Sequence, residues 1–285
     1  MKFYIVIPAH NEEDNISRTL QSLIKQTLQP TKVVVVDDNS TDSTASLVNK
    51  IAKENPWISL VSNTSSEAHL PGSKIINAFY KGYDSLDFEY DVICKYDADV
   101  VFPENYLETI TNHYRNNSKL GMVAGHCYIE KNGKWQLENL TSKEHIRGPL
   151  KAYRKACFID IGGLKKSMGW DTIDELLALY YTWEFKTDES LHVKHLKPTG
   201  LKYNPKAKYL QGTALYKMRY GFVLAFLSAL KLAFKKRRLR LFWDYLVGYI
   251  KALKNQENFL ISSDQGAFIR AYRWKNIKRK FKILP

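Results

Sequence analysis

The sequence predicts an α/β domain with a mixed, mostly parallel sheet flanked by helices, followed by a helical appendage. Two observations carry this prediction. Short apolar runs of strand length alternate with stretches of helical period over the first 95 residues, and that alternation builds parallel sheets. The charge is also uneven. Residues 231–285 hold 15 Lys/Arg against Asp244, Glu257 and Asp264, which is +12 of the net +14. We therefore divide the 285 residues into a domain over 1–215 and a basic, amphipathic helical segment over 216–285.

Lys2 to Ile7 is a β-rich run that stops at Pro8-Ala9-His10-Asn11-Glu12-Glu13. Asn15 or Ser17 then starts a helix with Ile16, Leu20, Leu23 and Ile24 apolar. Lys32 to Val36 (KVVVV) is a continuous apolar run, as a strand buried on both faces reads. It stops at Asp37-Asp38-Asn39-Ser40. Thr41 to Lys53 reads as a helix, Ile58 to Val61 as a strand, Ser73 to Tyr83 as a helix and Val92 to Lys95 as a strand. Beyond these, Met122 to Ala124 and Cys127 to Ile129 read as strands, and Lys131-Asn132-Gly133-Lys134 as a hairpin turn. Arg147 to Phe158 reads as strand or helix, Leu176 to Trp183 as helix, and Lys186 to Lys197 holds a strand ending in His195.

An apolar fraction of 45% suits a globular core. Cys94, Cys127 and Cys157 lack metal-ligand spacing and point to a reducing compartment without disulfides. The N-terminus lacks the layout of a signal peptide, and no stretch reaches the roughly 20 apolar residues of a spanning helix.

In open α/β sheets, ligands bind at the carboxyl ends of the strands. Three polar clusters sit at such ends: His10–Glu12, Asp37–Asp38 and Asp97–Asp99. If the strand runs through VICKYDADVVFP, alternation points Asp97 and Asp99 to one side. Two carboxylates so placed repel unless a cation joins them. Hard oxygen ligands suit Mg²⁺ or Mn²⁺, which keep waters and bind substrate phosphates.

Ile7-Pro8-Ala9-His10-Asn11-Glu12-Glu13, Val36-Asp37-Asp38-Asn39-Ser40-Thr41-Asp42 and Asp97-Ala98-Asp99 resemble the three N-terminal motifs of inverting family 2 glycosyltransferases of the GT-A fold. Gly162-Gly163, then Ile173-Asp174-Glu175-Leu176-Leu177-Ala178-Leu179, resembles that family's C-terminal catalytic stretch, over roughly residues 1–215 in all. The resemblance implies a metal-dependent transferase of sugar from a nucleotide-sugar donor to an acceptor hydroxyl. It assigns Asp38 to a nucleobase N–H, and Pro8, His10 and Glu12 to the base and ribose. Lys74 would face the nucleotide, and Asp97 with Ala98 the donor. Asp99 would ligate the metal, which His195, or its rival His192, closes from the far side. Without the resemblance, Asp38 reads as a cap for the following helix, a role that falls better to Ser40 or Thr41.

Inversion requires one general base, and the resemblance places it at Asp174, which is expected to open the LLAL helix. Ile173 stands where the family has Glu, so Asp171 and Glu175, on the same helix face, compete for the role. A polyprenyl-phosphate acceptor, already ionised, would need no base. A non-catalytic adaptor on a degenerate fold is the alternative of another class.

Tyr220 to Leu230 and Leu241 to Ile250 are apolar, rich in aromatics and joined by a basic connector. Arg270 to Lys282 is a second basic-aromatic stretch. The pattern fits an interfacial helix pair on an anionic membrane, or a pair packed on the domain. Nucleic acid also suits the composition, but not the acidic strand ends upstream, and is excluded as a partner. The expectation is a cytoplasmic protein, peripheral to the inner face of the membrane, acting on a glycan or lipid-linked acceptor.

Overall fold

The computed structural model describes residues 1–64, 72–138, 142–197 and 208–280. The chain forms two compact units. The first comprises Met1–Ala68, Lys74–Leu164 and Tyr181–Leu201; the second comprises His69–Ser73, Lys165–Tyr180 and Lys202–Pro285. In place of a single boundary at 215, the chain passes between the units several times.

The first unit opens as expected, with β1 (Phe3–Ala9), α1 (Ile16–Ile24), β2 (Lys32–Asp38), α2 (Thr44–Glu54), β3 (Ile58–Asn63), α3 (Ser73–Tyr83, whose first residue belongs to the second unit) and β4 (Val92–Tyr96). β2 pairs in parallel with β1 and β3, and β1 with β4. Val33 to Val36 are buried, as both faces of an interior strand must be. Ile16, Leu20 and Leu23 bury the apolar face of α1.

The chain continues through β5 (Val100–Val101), α4 (Tyr106–Asn116), β6 (Leu120–Lys131), β7 (Lys134–Leu137), β8 (Leu150–Arg154), α5 (Lys155–Asp160), α6 (Trp170–Tyr180, in the second unit) and β9 (Glu184–His195). The strand order is β3-β2-β1-β4-β8-β6-β9-β5, with β7 on β6. The sheet is parallel from β3 to β4. Beyond β4 it is mixed: β8 runs antiparallel to β4 and β6, while β6 and β9 are parallel. Met122 to Ala124 and Cys127 to Ile129 are one strand, β6, whose register against β9 shifts between Ala124 and His126. The irregularity breaks the alternation there. The hairpin turn is present, with Lys131 opposite Lys134 and positive φ at Asn132 (52°) and Gly133 (73°). α4, unassigned from sequence, buries Tyr106, Leu107, Ile110 and Tyr114.

The second unit holds α6, α7 (Leu210–Lys217), α8 (Phe222–Lys235), α9 (Arg240–Lys254) and α10 (Ser263–Lys280). The two apolar runs of the appendage are α8 and α9, each longer than its run. α7 packs on α9 through two glycines. A Cβ on Gly212 would sit 1.8 Å from the Tyr245 carbonyl oxygen, and one on Gly248 would sit 2.1 Å from that of Tyr209. Backbone cannot yield as a side-chain tip can. Gly248→Ala is therefore expected to destabilise this unit by about 1–3 kcal/mol, read as a lower thermal midpoint. An unchanged midpoint would mean the helices are not this close. Arg219 fastens the following segment: its Nε donates to the Ile261 carbonyl (2.9 Å) and its guanidinium lies 3.6 Å from the Phe259 ring centroid.

Candidate active site

The parallel register sets Pro8 opposite Val36 and Ala9 opposite Asp37, so the loops leaving β1 and β2 run side by side. They are stitched together. Asn11 N–H donates to Ser40 Oγ (3.0 Å), Glu12 N–H to Thr44 Oγ1 (2.8 Å), and Thr41 N–H to Asn11 Oδ1 (2.8 Å). Asn11 and Asn39 take positive φ (53° and 59°), a conformation asparagine tolerates better than most residues. His10 Nδ1 lies 2.7 Å from the Asp38 carbonyl oxygen. A carbonyl only accepts, so Nδ1 carries the proton when the ring is neutral and Nε2 is left as acceptor.

Asp38 is buried, and both its oxygens are engaged. Oδ1 accepts from Asn63 Nδ2 (2.8 Å), and Oδ2 lies 3.5 Å from Lys74 Nζ. Lys74, expected beside the nucleotide, thus arrives through Asp38. Asn63 escaped the sequence reading, although it ends β3 directly opposite Asp38. Neither Ser40 nor Thr41 caps α2. The N-cap position is Ser43, without a side-chain cap bond, and Asp42 just before it accepts from Thr44 N–H (3.0 Å) and Thr44 Oγ1–H (2.6 Å). Burial pushes the Asp42 carboxyl up, but these hydrogen bonds hold it below the usual range. Glu12 Oε2 accepts from Asn15 Nδ2 (3.0 Å) and Lys197 Nζ (2.7 Å). The Ala98 carbonyl accepts from Thr19 Oγ1 (2.7 Å).

Asp97 and Asp99 converge, but not through strand alternation. β4 ends at Tyr96, and residues 97–99 form the turn into β5. β5 pairs with β9, setting Val100 opposite His195, and Leu196 N–H donates to the Asp99 carbonyl (2.9 Å). One ligand atom each from Asp97, Asp99 and His195 lies within 4.8 Å of the others. His195 Nε2 is 3.6 Å from Asp99 Oδ2. His192 does not take part: its Nε2 lies 3.0 Å from the Glu189 carbonyl oxygen and its ring packs on Tyr128. Lys95, buried inside β4, ion-pairs with Asp97 Oδ1.

The residue that sequence reasoning missed here is Glu138. It is buried, its Oε2 lies 2.9 Å from His195 Nδ1, and it ion-pairs with Arg147. A carboxylate holding Nδ1–H turns the Nε2 lone pair toward Asp99, as in carboxylate–histidine–metal arrangements. No local signal marks Glu138, because its partner is 57 residues away. Cys127, Glu138 and His195 form a second group of donor atoms. Burial pushes the Cys127 thiol up to about 12, and a soft sulfur ligand does not suit Mg²⁺ or Mn²⁺. Glu138 already serves Arg147 and His195. The two aspartates with His195 are therefore the donor set that fits a hard divalent cation.

Asp174 does not open its helix. α6 begins at Trp170, so Asp174 lies one turn inside and is buried, with Glu175 also buried and Asp171 in the first turn. Glu175 N–H donates to Asp174 Oδ1 (2.6 Å). All three acids belong to the second unit.

The family model of glycosyl transferase family 2 matches residues 4–164, more than half of the chain. This chain belongs to that family. The match takes in all three strand-end clusters and stops short of Asp174 and His195. A poly-beta-1,6-N-acetyl-D-glucosamine synthase of Staphylococcus aureus is 24% identical over 223 residues, covering 71% of this chain and 48% of the synthase. This chain thus spans about half the length of that relative. Among solved structures, S. aureus TarS 1–349 in complex with UDP-GlcNAc superposes with a TM-score of 0.57 at 18% identity, covering 88% of this chain and 73% of that one. The mannosyltransferase PcManGT of Pyrobaculum calidifontis, in complex with GDP-Man and Mn²⁺, gives 0.55 at 14% identity, covering 99% and 82%. At these identities the likeness shows a shared GT-A-like fold.

Proposed function

We propose that this family 2 member moves a sugar from a nucleoside-diphosphate sugar to an acceptor hydroxyl with inversion, using Mg²⁺ or Mn²⁺. The observation that carries the reading is the convergence of Asp97, Asp99 and His195 at the mouth of the sheet, where this architecture binds ligands. The solved neighbours named above hold UDP-GlcNAc, or GDP-Man with Mn²⁺, which supports the donor class.

Asp99 and His195 would hold the cation, with Asp97 turned toward it or the ribose. Bound there, a divalent ion would offset charge on the departing diphosphate. Glu138 orients His195. Asp38, set by Asn63 and Lys74, offers its carboxylate edge to a nucleobase N–H. Pro8, His10, Glu12 and Ala98 border the base, ribose and donor. Asp174 takes the acceptor proton as the hydroxyl attacks. The acceptor is a cell-envelope or lipid-linked glycan reached at the cytoplasmic face of the membrane.

Two measurements test this. In a thermal-shift screen of nucleoside diphosphates with Mn²⁺, the matching base should stabilise by roughly 2.7 kcal/mol at a hundredfold excess over Kd. If no nucleotide shifts the melt, the site is misassigned. Glu138→Gln should weaken Mn²⁺ binding about 10- to 100-fold, as loss of such an outer partner does, read from free Mn²⁺ by electron paramagnetic resonance. Wild-type Mn²⁺ affinity in this variant would remove Glu138 from the metal site.

A further inference from the structure

α8 packs largely through alanines, and both α8 and α9 leave some large apolar side chains in solvent. α8 buries Leu224, Ala225, Ala229 and Ala233. Val223 (57% exposed) and Phe234 (65%) point away from that face, whereas Phe222, at the helix start, packs on the Tyr249 ring of α9. On α9, Trp243 (65%) continues a stripe that starts at Leu239 (67%), one helical turn earlier. A helix face left to water is normally polar. A contiguous exposed apolar patch marks a surface that binds something.

The rim of this patch is cationic. Lys236, Arg237, Arg238 and Arg240 are exposed in and beside the connector, and among the described residues none of them makes an ion pair. Lys235, Arg273 and Lys280 lie near Lys231, one turn before the connector. Burial lowers the Lys231 ammonium first, and these three neighbouring cations lower it further. No described helix is long and apolar enough to cross a membrane.

We infer that the outward face of α8 and α9 docks on an anionic lipid bilayer, Val223, Phe234, Leu239 and Trp243 entering the acyl boundary while the connector binds headgroup phosphates. Aromatic and aliphatic anchors flanked by cations match a negatively charged interface. A second copy fits worse, because it would set two basic rims against each other. The inference rests on the reading above only for what lies at that bilayer; exposure and charge carry the surface itself.

The test uses the full chain and vesicles of phosphatidylcholine, with or without phosphatidylglycerol. Co-sedimentation should be at least tenfold stronger on the anionic vesicles and fall as salt rises. Brominated acyl chains should quench tryptophan fluorescence in wild type, and far less in Trp243→Phe. Phe234→Ser with Trp243→Ser, and separately Lys236→Gln with Arg237→Gln and Arg238→Gln, should each weaken binding at least tenfold. The Mn²⁺–nucleotide thermal shift, read on the same samples, should stay. Failure to bind vesicles with that shift intact overturns the docking face and leaves the donor reading standing. A dimer abolished by the Phe234/Trp243 variant, or binding to nucleic acid but not to vesicles, also overturns it.

Discussion

Asp99→Asn is expected to lower kcat/KM about a thousandfold, or about 4 kcal/mol of transition-state stabilisation, with little change in the melting of the nucleotide-free protein. The two halves have different causes. Among the described residues, the Asp99 side chain accepts no hydrogen bond from its own chain, and its contact with His195 is long at 3.6 Å. Its carboxylate faces a second acid, Asp97, inside the same small group of donor atoms. Exchanging it for an isosteric amide therefore removes repulsion and no packing. What disappears is the anionic ligand that, with His195, would hold the divalent ion against the diphosphate. The diagnostic pair is transfer activity and the Mn²⁺-dependent part of the nucleotide thermal shift. Both should vanish together. A variant that keeps both would show that the convergence of Asp97, Asp99 and His195 is structural.

Asp174→Asn is the second large effect. In the role of general base proposed above, Asp174 would accelerate proton removal, and its loss should cost about 10²- to 10⁴-fold in kcat while the KM for the donor holds. The amide cannot accept the proton, but it keeps the shape of a side chain that is almost wholly buried. A folding defect would appear instead as a lowered melt. Asp171→Asn and Glu175→Gln, on the same helix, are the controls for register. The larger loss should fall on Asp174, since the family resemblance places the base there. Wild-type turnover in all three variants would point to an acceptor that is already ionised, a lipid phosphate, and the hydroxyl acceptor would have to be given up; loss in Asp171→Asn or Glu175→Gln instead would move the base there.

Some of this site was legible in the sequence because strand ends announce themselves. KVVVV must lie inside a sheet, so Asp37-Asp38 must lie at its edge, and the same reasoning delivers His10 and Asp97. His195 was legible as the last residue of an alternating stretch. Other parts were hidden. Asn63 looks like any polar residue after a strand until the β2–β3 register brings it to Asp38. Neither Ser40 nor Thr41 caps α2, because the interlocked β1 and β2 loops delay the start of that helix to Thr44, with Asp42 holding the first N–H. The exposed side of α8 could not be read either. Phe222, Phe234 and their alanine neighbours are all apolar, so periodicity does not say which of them face solvent.

By itself, the chain's order of residues determined the strand–helix alternation of the first 95 residues, which acids stand at strand ends, the Asn132-Gly133 turn and the basic character of the last segment. These depend on steric preference and on neighbours a few positions apart. Only the tertiary structure decided that a turn, rather than a strand, aims Asp97 and Asp99, that Glu138 holds His195, and that Phe234 and Trp243 stay outside. Each of those outcomes depends on packing or pairing between parts of the chain that no local pattern encodes.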